Sequence, residues 1–495
     1  MTRKPNIVFL FSDQQRADTQ GYAGDPVAIT PNMDRLAADG VVFRRGITNS
    51  PVCMTARASL MTGMQVHEHG VWAIARPEIR HSQSHVRNVR DAGYCTAVVG
   101  KTHLWMHGQG HARDHLQEMA DWGYVDAMET TGPTESLRTD SIYTDHLAEK
   151  GLLDTHRQYL STYLTSRDRG GQAWELPVCP LPAEDHLDRF IADTAANWIR
   201  NYERDDPFYL QVNFGCPHDP WEAPAESRRQ YNPDEIPLSI GEASNGPVSP
   251  LASMLRRGPG MPTGMSESEN RVMNSYYYGK VSLIDDCMGR VMQALQDRGM
   301  LDDIWIIVSS DHGEQLGDHG LIAKKAFYEG SVNVPYILRP PTPISGWQSR
   351  ALTDHLDLVA TIIDITGAMP LPVSQGKSLL PLLSAGEKDP NAHHHHHRDA
   401  VLCEQGFPPT AFSMVRTDRY KLSMDVISCE VVDLYDLQED PRELHNLADD
   451  PAMAEVKTQL IDDLAGLTVE IEQSLQALDD DPMWQRSKTA LQQTQ

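Results

Sequence analysis

Short apolar runs that stop abruptly at polar residues recur along the chain. Four of them occupy residues 7–11, 96–99, 208–214 and 304–308. Nearly continuous apolar runs of this length are typical of strands buried on both faces of a parallel sheet. Residues 183–203 and 271–298 have apolar side chains at helical spacing, and Thr30 followed by Pro31 marks a helix start. This alternation predicts an α/β fold, with a large, mostly parallel sheet sandwiched by helices.

The pattern changes near residue 375, which predicts a large α/β domain over 1–375 and a smaller C-terminal α+β domain over 376–495. Segments of the second domain read as an antiparallel sheet followed by a helix: 400–403, 412–416, 420–424, 431–435 and 456–478. Before them, residues 393–397 are five consecutive histidines in a polar stretch. We interpret this tract as a solvated loop or tag-like insertion, with adventitious metal binding as the alternative.

Two further segments read as irregular covers over a site. Residues 105–180 are rich in His, Trp and Gly, and residues 240–268 are rich in Gly, Pro, Ser and Met. Long irregular segments in compact domains are usually functional. Either segment is therefore a candidate for the substrate determinants.

Charge and cysteine usage restrict the function. The formal net charge of −26 is spread along the 495 residues, and no basic patch suits nucleic acid. An anionic substrate must then be attracted by local cations or a metal. The seven cysteines are widely spaced and odd in number, which favours a reducing compartment. With no run long enough to span a membrane, these features predict a cytoplasmic enzyme.

Polar side chains follow directly after the four apolar runs. They are Asp13, Gln14, Lys101, His103, His218, Asp311 and His312. In open α/β sheets the ligand site lies beyond the carboxyl ends of the strands. We therefore expect these side chains to converge on one site.

The segment 50–63 is the densest chemical signal. A helix that starts near Cys53 places Arg57 one turn further on the same face. Cys53 then lies at a helix N-terminus, where free N–H groups and the dipole favour an anion. From these residues alone, Cys53 is either a functional nucleophile, a reactive thiolate or a buried structural cysteine.

Taken together, the motifs resemble those of the sulfatase family in the alkaline-phosphatase superfamily. Cys53 and Arg57 match the family pattern Cys-x-Pro/Ala-x-Arg, and the Ala-Ser-Leu and Thr-Gly continuation follows. Further matching segments are Asp13-Gln14, 30–37, 40–43, 100–104, 310–314, Lys324 ahead of 328–331, 433–437, 440–441 and 443–447. The resemblance covers nearly the whole chain.

This resemblance implies a divalent metal site. Its ligands would be Asp13, Gln14, Asp311 and His312, with residue 53 completing the shell. Carboxylate and amide oxygens suit Ca²⁺, our first choice, or Mg²⁺. The imidazole of His312 makes Mn²⁺ the other alternative.

The resemblance also implies a modified nucleophile. A formylglycine-generating enzyme would oxidise Cys53 to formylglycine (3-oxoalanine), which hydrates to a gem-diol. One hydroxyl would attack the sulfur or phosphorus, the leaving group would depart, and a covalent ester (a sulfo-enzyme for a sulfate substrate) would remain on residue 53. Deprotonation of the other hydroxyl would then expel the inorganic product and restore the aldehyde.

The remaining roles implied by the resemblance concern cations around the transferred group. Arg57 would hold the residue-53 diol, and a cationic ring would consist of Lys101, His103, His218 and Lys324. His218 or Lys324 would protonate the leaving group, and His103 would partner the residue-53 hydroxyl. Five other histidines have either structural or substrate-contact roles: His67, His69, His107, His111 and His115.

The chain departs from the family pattern at two points. Thr55 stands where Pro or Ala is usual. We expect this residue to lower the efficiency with which the maturation enzyme converts Cys53. Asp13-Gln14 stands where many sulfatases have two adjacent acids, and with the segment 218–221 it resembles the branch of phosphonate monoester hydrolases and phosphodiesterases.

We predict a sulfuric ester hydrolase that acts on a small anionic ester. A phosphonate monoester or phosphodiester hydrolase is the second choice, and a non-catalytic anion-binding protein is a distant third. Aryl, alkyl, choline and carbohydrate sulfates all remain open as substrates. The C-terminal helix and tail are a candidate surface for a homo-oligomer.

Overall fold

The structure is a computed structural model. It describes residues 4–74, 83–108, 110–168, 179–228, 230–241, 249–258, 261, 264–386, 396–407 and 410–477. Residues 393–395 of the histidine tract lie outside the described residues.

Two sheets organise the fold. The strands are β1 (Asn6–Asp13), β2 (Val41–Ile47), β3 (Cys95–Lys101), β4 (Asp126–Thr130), β5 (Phe208–Pro217), β6 (Ile304–Ser310), β7 (Tyr336–Arg339), β8 (Trp347–Asp354), β9 (Ala400–Phe407), β10 (Thr410–Thr417), β11 (Tyr420–Asp425) and β12 (Glu430–Asp436).

Helices lie between and after these strands. They are α1 (Pro31–Ala38), α2 (Cys53–Thr62), α3 (Val66–His69), α4 (His85–Asp91), α5 (Leu116–Trp122), α6 (Ile142–Glu149), α7 (Leu153–Asp168), α8 (Leu187–Arg200), α9 (Ala225–Arg228), α10 (Pro250–Arg256), α11 (Glu267–Asp297), α12 (Glu329–Val332), α13 (His355–Thr366), α14 (Leu380–Gly386) and α15 (Ala454–Ala477).

The larger sheet has the strand order β4-β3-β5-β1-β6-β7-β2-β8. All neighbouring pairs are parallel except those made by β7, which runs antiparallel to β6 and β2. All eight residues of the central strand β1 are buried, as expected for a strand covered on both faces. The predicted mostly parallel sheet is confirmed.

Successive residues of β1 point to opposite faces of the sheet. Val8 and Leu10 belong to the core formed with α1, α8 and α11, whereas Phe9 and Phe11 belong to the core formed with α2, α4 and α13. The sheet is therefore sandwiched between two helical layers, as predicted.

The smaller sheet is antiparallel, with the strand order β12-β11-β10-β9. Leu460 and Leu464 of α15 pack on one face of it. On the other face, Met414 shares a core with Ile47 and Leu352 of the larger sheet. The C-terminal α+β region is confirmed, while its predicted boundary at residue 376 stays a prediction; Leu379 just beyond it is buried in the core of the larger sheet.

The two segments predicted as irregular covers contain more regular structure than expected. Residues 105–180 include α5, β4, α6 and α7, and residues 240–268 include α10. In α7 the buried side chains are His156, Tyr159, Leu160 and Tyr163. Because most of these side chains carry polar atoms, the sequence does not show them as apolar residues at helical spacing.

Helix α1 begins at Pro31, as predicted from Thr30 and Pro31. The Thr30 hydroxyl donates to the Asp34 carboxylate and does not cap the helix.

Among the described residues, the structure contains no helix that is both long and apolar enough to cross a membrane.

Gly100 provides a test of the packing between β3 and β5. It has φ +101°, and a Cβ there would lie 1.9 Å from the Asn213 carbonyl oxygen. We expect Gly100→Ala to lower the free energy of unfolding by more than about 3 kcal/mol, because a steric clash adds to backbone strain. Chemical denaturation monitored by circular dichroism measures this change.

Gly93→Ala is the matched control. Gly93 has a similar φ of +92°, but a Cβ there meets nothing within 4 Å. Only backbone strain of about 1–2 kcal/mol is expected at this position. Equal destabilisation of the two variants would contradict the close contact between the strands.

Candidate active site

The carboxyl ends of four adjacent strands bring the predicted polar residues to one edge of the sheet. Asp13 ends β1 and Lys101 ends β3, while His218 and Asp311 directly follow β5 and β6. Because β3, β5, β1 and β6 are neighbours, short extensions beyond them are enough to gather these side chains.

Asp13, Asp311 and His312 form a compact group of metal-ligating types. One ligand atom from each lies within 4.8 Å of the others, and all three residues are buried. Asp13 Oδ1 and His312 Nε2 have no hydrogen-bond partner, although buried polar atoms are normally satisfied. His312 Nδ1 lies 2.9 Å from the Gly313 carbonyl oxygen, which leaves the Nε2 lone pair available to a metal. These residues fit a divalent cation.

Gln14 lies at the same place in a left-handed backbone conformation, with φ +68°. Its N–H donates to Asp311 Oδ1 at 3.0 Å, which ties the loop after β1 to the loop after β6. Its side-chain oxygen accepts from Lys324 Nζ at 2.6 Å, and its amide nitrogen donates to Glu314. The predicted ligand Gln14 and the predicted catalytic residue Lys324 are therefore direct neighbours.

Cys53 and Arg57 lie one turn apart in the first half of α2, as the segment predicted. Arg57 donates to Asp311 Oδ2 at 3.0 Å, to Asp13 Oδ2 at 3.2 Å and to the Lys101 carbonyl oxygen at 2.7 Å. Arg57 thus connects three of the strand ends.

Lys101 completes the charge balance around the carboxylates. Its Nζ lies 2.7 Å from Asp13 Oδ2, and both side chains are buried. Burial opposes ionisation of the Cys53 thiol, but Lys101 and Lys324 hold its pKa below the usual value. The site therefore favours negative charge on residue 53.

His103 and His218, which we predicted as members of a cationic ring, have lowered pKa values. Burial, followed by the charge of Lys101, lowers the pKa of His103 to about 3. Burial, followed by Lys324, lowers the pKa of His218 as well. The cations nearest the site are therefore lysine and arginine groups, while the lowered pKa values favour neutral imidazoles at His103 and His218.

The sequence analysis assigned no role to three carboxylates at the site. Burial raises the pKa of Glu135, but nearby positive charge, that of Lys101 first, outweighs burial and lowers that pKa to about 2. It lies in the segment that we interpreted as an irregular cover, so no signal pointed to it.

The other two missed carboxylates had a local signal, since they follow His218 and lie in the 310–314 motif. Asp219 accepts from Tyr163 Oη at 2.5 Å and from Arg167 Nη1 at 2.6 Å, both on α7. Glu314 accepts from Gln14 and from the backbone N–H of Leu316.

The five remaining histidines separate by their contacts. His107 stacks on His103, with ring centroids 4.9 Å apart, and so lies next to the site. His67 contacts Glu404 and His69 contacts Ser59. His111 contacts Asp145, and His115 stacks on Trp105. These contacts support structural roles for those four.

Known proteins resemble this chain over most of its length. A sequence model described as Sulfatase matches residues 5–368, and one described as N-sulphoglucosamine sulphohydrolase, C-terminal, matches residues 317–470. The multifunctional alkaline phosphatase superfamily protein PehA of Trinickia caryophylli is 28% identical over 488 residues, covering 92% of this chain and 93% of the relative.

A second relative and a solved structure extend the comparison. The N-acetylglucosamine-6-O-sulfatase of Bacteroides thetaiotaomicron is 25% identical over 486 residues, covering 90% of this chain and 83% of the relative. The phosphonate monoester hydrolase of Agrobacterium radiobacter has the same fold, with a TM-score of 0.75 at 24% identity over 94% of this chain and 96% of that one.

The unpartnered atoms of Asp13 and His312 predict a metal requirement. We expect Asp13→Asn and His312→Ala to lose the bound divalent metal, with affinity reduced by at least about 100-fold. Chelation should lower the melting temperature of the unsubstituted protein and leave that of the variants unchanged. Elemental analysis and thermal melting measure these effects.

Asp188→Asn is the matched control. Asp188 is also buried and lies with His186 and Cys216 in a second group of metal-ligating types. The control should retain the chelation-sensitive metal. If it loses that metal while Asp13→Asn keeps it, the assignment to Asp13 is wrong.

Proposed function

The chain belongs to the sulfatase family of sulfuric ester hydrolases, and from this premise we propose that it hydrolyses a sulfate ester at the site around Cys53. The observation that carries this proposal is that Arg57, one turn after Cys53 on α2, and Lys101 contact two buried carboxylates. This arrangement combines a nucleophile position, a metal-ligand group and cations for a transferred anion.

We further propose that Cys53 acts after conversion to formylglycine by a formylglycine-generating enzyme. Formylglycine at position 53, together with a divalent metal, would supply an activated hydroxyl as the nucleophile. The position of Cys53 at the first residue of α2 supports this role, because helix N-terminal N–H groups stabilise an anion there.

The metal would be held by Asp13, Gln14, Asp311 and His312, with residue 53 completing the shell. Ca²⁺ is our first choice because most donors are oxygens, and Mn²⁺ or Mg²⁺ are the alternatives. Arg57 keeps the two carboxylates together by donating to both. Its second role would be to hold the hydroxyls of residue 53.

The groups around the transferred sulfuryl would be Lys101, His103, His218 and Lys324. Lys101 donates to Asp13 and Lys324 donates to Gln14, so each lysine contacts a different proposed metal ligand. We assign protonation of the leaving group to His218 or Lys324. His103 would be the partner of the residue-53 hydroxyl. Asp219 orients His218, because its backbone oxygen lies 2.6 Å from His218 Nδ1.

A phosphonate monoester or phosphodiester hydrolase is the second candidate. Gln14 favours it, because a neutral amide replaces a carboxylate and leaves the site more positive for a phosphoryl group. The fold that the chain shares with a phosphonate monoester hydrolase is consistent with it. A non-catalytic anion-binding role is a distant third.

Activity on synthetic esters separates these candidates. For protein containing formylglycine, we expect kcat/KM for an aryl sulfate to exceed that for an aryl phosphonate monoester. Cys53→Ala should reduce kcat by at least about 10³-fold, because the nucleophile is lost. A preference for the phosphonate would favour the second candidate, and loaded protein inactive on both esters would favour the third.

We propose that Thr55, two residues after Cys53, lowers the efficiency of Cys53 conversion. Thr55 is buried and its hydroxyl has no hydrogen-bond partner. The first helical bond of α2 runs from Ala56 N–H to the Val52 carbonyl, so the Thr55 N–H is not needed by the helix. We expect Thr55→Pro to be folded and to contain a larger formylglycine fraction when produced with the maturation enzyme, as measured by peptide mass.

Thr55→Ala serves as the control for this substitution. It removes the unpartnered hydroxyl without stiffening the backbone. Conversion that follows the order Pro, Ala, Thr supports recognition of an extended segment. Full conversion in the unsubstituted protein would show that Thr55 does not impede maturation.

A further inference from the structure

The C-terminal end of α7 contacts the loop that carries His218. This helix lies within residues 105–180, one of the two candidate segments for the substrate determinants. It is fixed to the body of the fold by a buried face that includes Tyr159, and by His156, whose Nε2 lies 2.9 Å from Ser136 Oγ. Groups on a packed helix are held more precisely than groups on a loop, so the last turns of α7 restrain the loop that they contact.

Tyr163 and Arg167 lie one turn apart at this end of α7 and share one acceptor. The Tyr163 hydroxyl donates to Asp219 Oδ2 at 2.5 Å, and Arg167 Nη1 donates to the same oxygen at 2.6 Å. Arg167 Nη1 also donates to Tyr163 Oη at 3.0 Å. Tyr163 and Asp219 are buried, while the Arg167 side chain is 25% exposed. The three groups therefore form a closed set of hydrogen bonds that joins α7 to the loop after β5.

Asp219 passes this restraint on to the imidazole of His218. Asp219 Oδ1 lies 3.3 Å from His218 Nδ1, and the backbone oxygen of Asp219 lies 2.6 Å from the same nitrogen. A carboxylate oxygen and a carbonyl oxygen only accept hydrogen bonds, so Nδ1 carries a proton and Nε2 is the ring nitrogen left for a substrate. The orientation of the ring thus depends on where Asp219 is held.

The contact between Asp219 and Arg167 is an ion pair. Burial raises the pKa of Asp219, but the neighbouring His218 and Arg167 outweigh burial and hold that pKa below its usual value. Asp219 in turn raises the pKa of Arg167. Of the two donors to Asp219 Oδ2, Arg167 is the charged one, and charge-assisted hydrogen bonds are the stronger kind. Loss of Arg167 should therefore loosen Asp219 more than loss of the Tyr163 hydroxyl.

The main chain of the same loop has a separate attachment. The His218 N–H donates to the Asp13 carbonyl oxygen at 3.1 Å, which joins the loop to β1 without any contribution from α7. A change on α7 is therefore expected to leave the backbone of His218 in place and to release its ring. This separation makes the effect of α7 on the site testable without destroying the site.

We propose that Tyr163 and Arg167 are positioning residues for hydrolysis at this site. By holding Asp219, they orient the imidazole of His218 so that Nε2 meets the leaving-group oxygen. The role of His218 toward the leaving group rests on the proposed function. The leaving-group contact is thereby assigned to His218 rather than to Lys324, whose Nζ already donates to a proposed metal ligand. Esters with basic leaving groups then depend on α7, because they need a proton donor most.

Two aryl sulfates with different leaving groups test this proposal. The 4-nitrophenolate ion leaves readily without a proton, whereas the more basic phenolate ion benefits from a donor. For metal-loaded protein containing formylglycine, we expect Arg167→Ala to lower kcat/KM at least about tenfold for phenyl sulfate and less than about threefold for 4-nitrophenyl sulfate. Equal losses for the two esters, or no loss for phenyl sulfate, would overturn the proposal. If the protein prefers phosphonates, the corresponding pair of phosphonate monoesters is used.

Substitutions on the same helix supply the controls. Tyr163→Phe should change the two rates in the same direction as Arg167→Ala but less, and Arg167→Lys should restore part of the loss because the charge is kept. Tyr159→Phe is the matched control, since Tyr159 is buried one turn before Tyr163 and its hydroxyl has no hydrogen-bond partner among the described residues. It should leave both rates unchanged. Equal effects of the two Tyr→Phe changes would contradict a specific role for Tyr163.

A double substitution tests whether Arg167 acts through Asp219. Asp219→Asn should lower kcat/KM for phenyl sulfate, and adding Arg167→Ala to it should lower that value less than about twofold further, because coupled residues are not additive. Losses that multiply would show that Arg167 acts by another route. Thermal melting should show that all of these variants are folded.

Nitrogen NMR of labelled histidine tests the positioning without turnover. In metal-loaded Cys53→Ala protein, the His218 signals are identified by their absence from the His218→Asn variant, and Nδ1 should carry the proton. Adding Arg167→Ala should shift these signals, since the ring is released. Unchanged His218 signals would overturn the proposal whatever the activity. Shifted signals in a protein that hydrolyses neither ester class when loaded would contradict the proposed function, while the positioning contact would stand.

Discussion

The burial of two carboxylates in one small volume is the constraint on which the site depends. Asp13 and Asp311 are inaccessible to solvent, and two such charges repel strongly unless cations accompany them. Arg57 contacts both, and Lys101 contacts Asp13. These cations come from α2 and β3, so the same contacts that neutralise the carboxylates also fix the nucleophile segment against the sheet.

This dependence explains how the fold and the site are linked. Parallel strands place their carboxyl ends side by side, but the order of strands decides which ends are neighbours. Here β1 lies between β5 and β6, which brings Asp13 next to Asp311 and next to the His218 loop. The His218 N–H donates to the Asp13 carbonyl oxygen at 3.1 Å, so the backbone also joins these loops.

Much of this arrangement was predictable from the sequence, and the limits are physical. Continuous apolar runs predicted the central strands, and strand-end polar residues predicted Asp13, Lys101 and Asp311. Contacts made by distant segments could not be predicted in this way. Tyr163 reaches Asp219 from α7, whose buried face is made largely of aromatic and imidazole groups, and Glu135 lies beside Lys101 only after β4 joins the sheet.

Glu314 has a consequence for how sequences of this family can diverge. Its carboxylate is buried, accepts from the amide of Gln14 and is surrounded by backbone N–H groups of its own loop. Replacing Gln14 with an acid would set two carboxylates against each other, and burial already raises the pKa of Glu314 to about 7. We therefore expect the residues at positions 14 and 314 to change together during evolution. An acid at position 14 would be accompanied by a neutral residue at position 314.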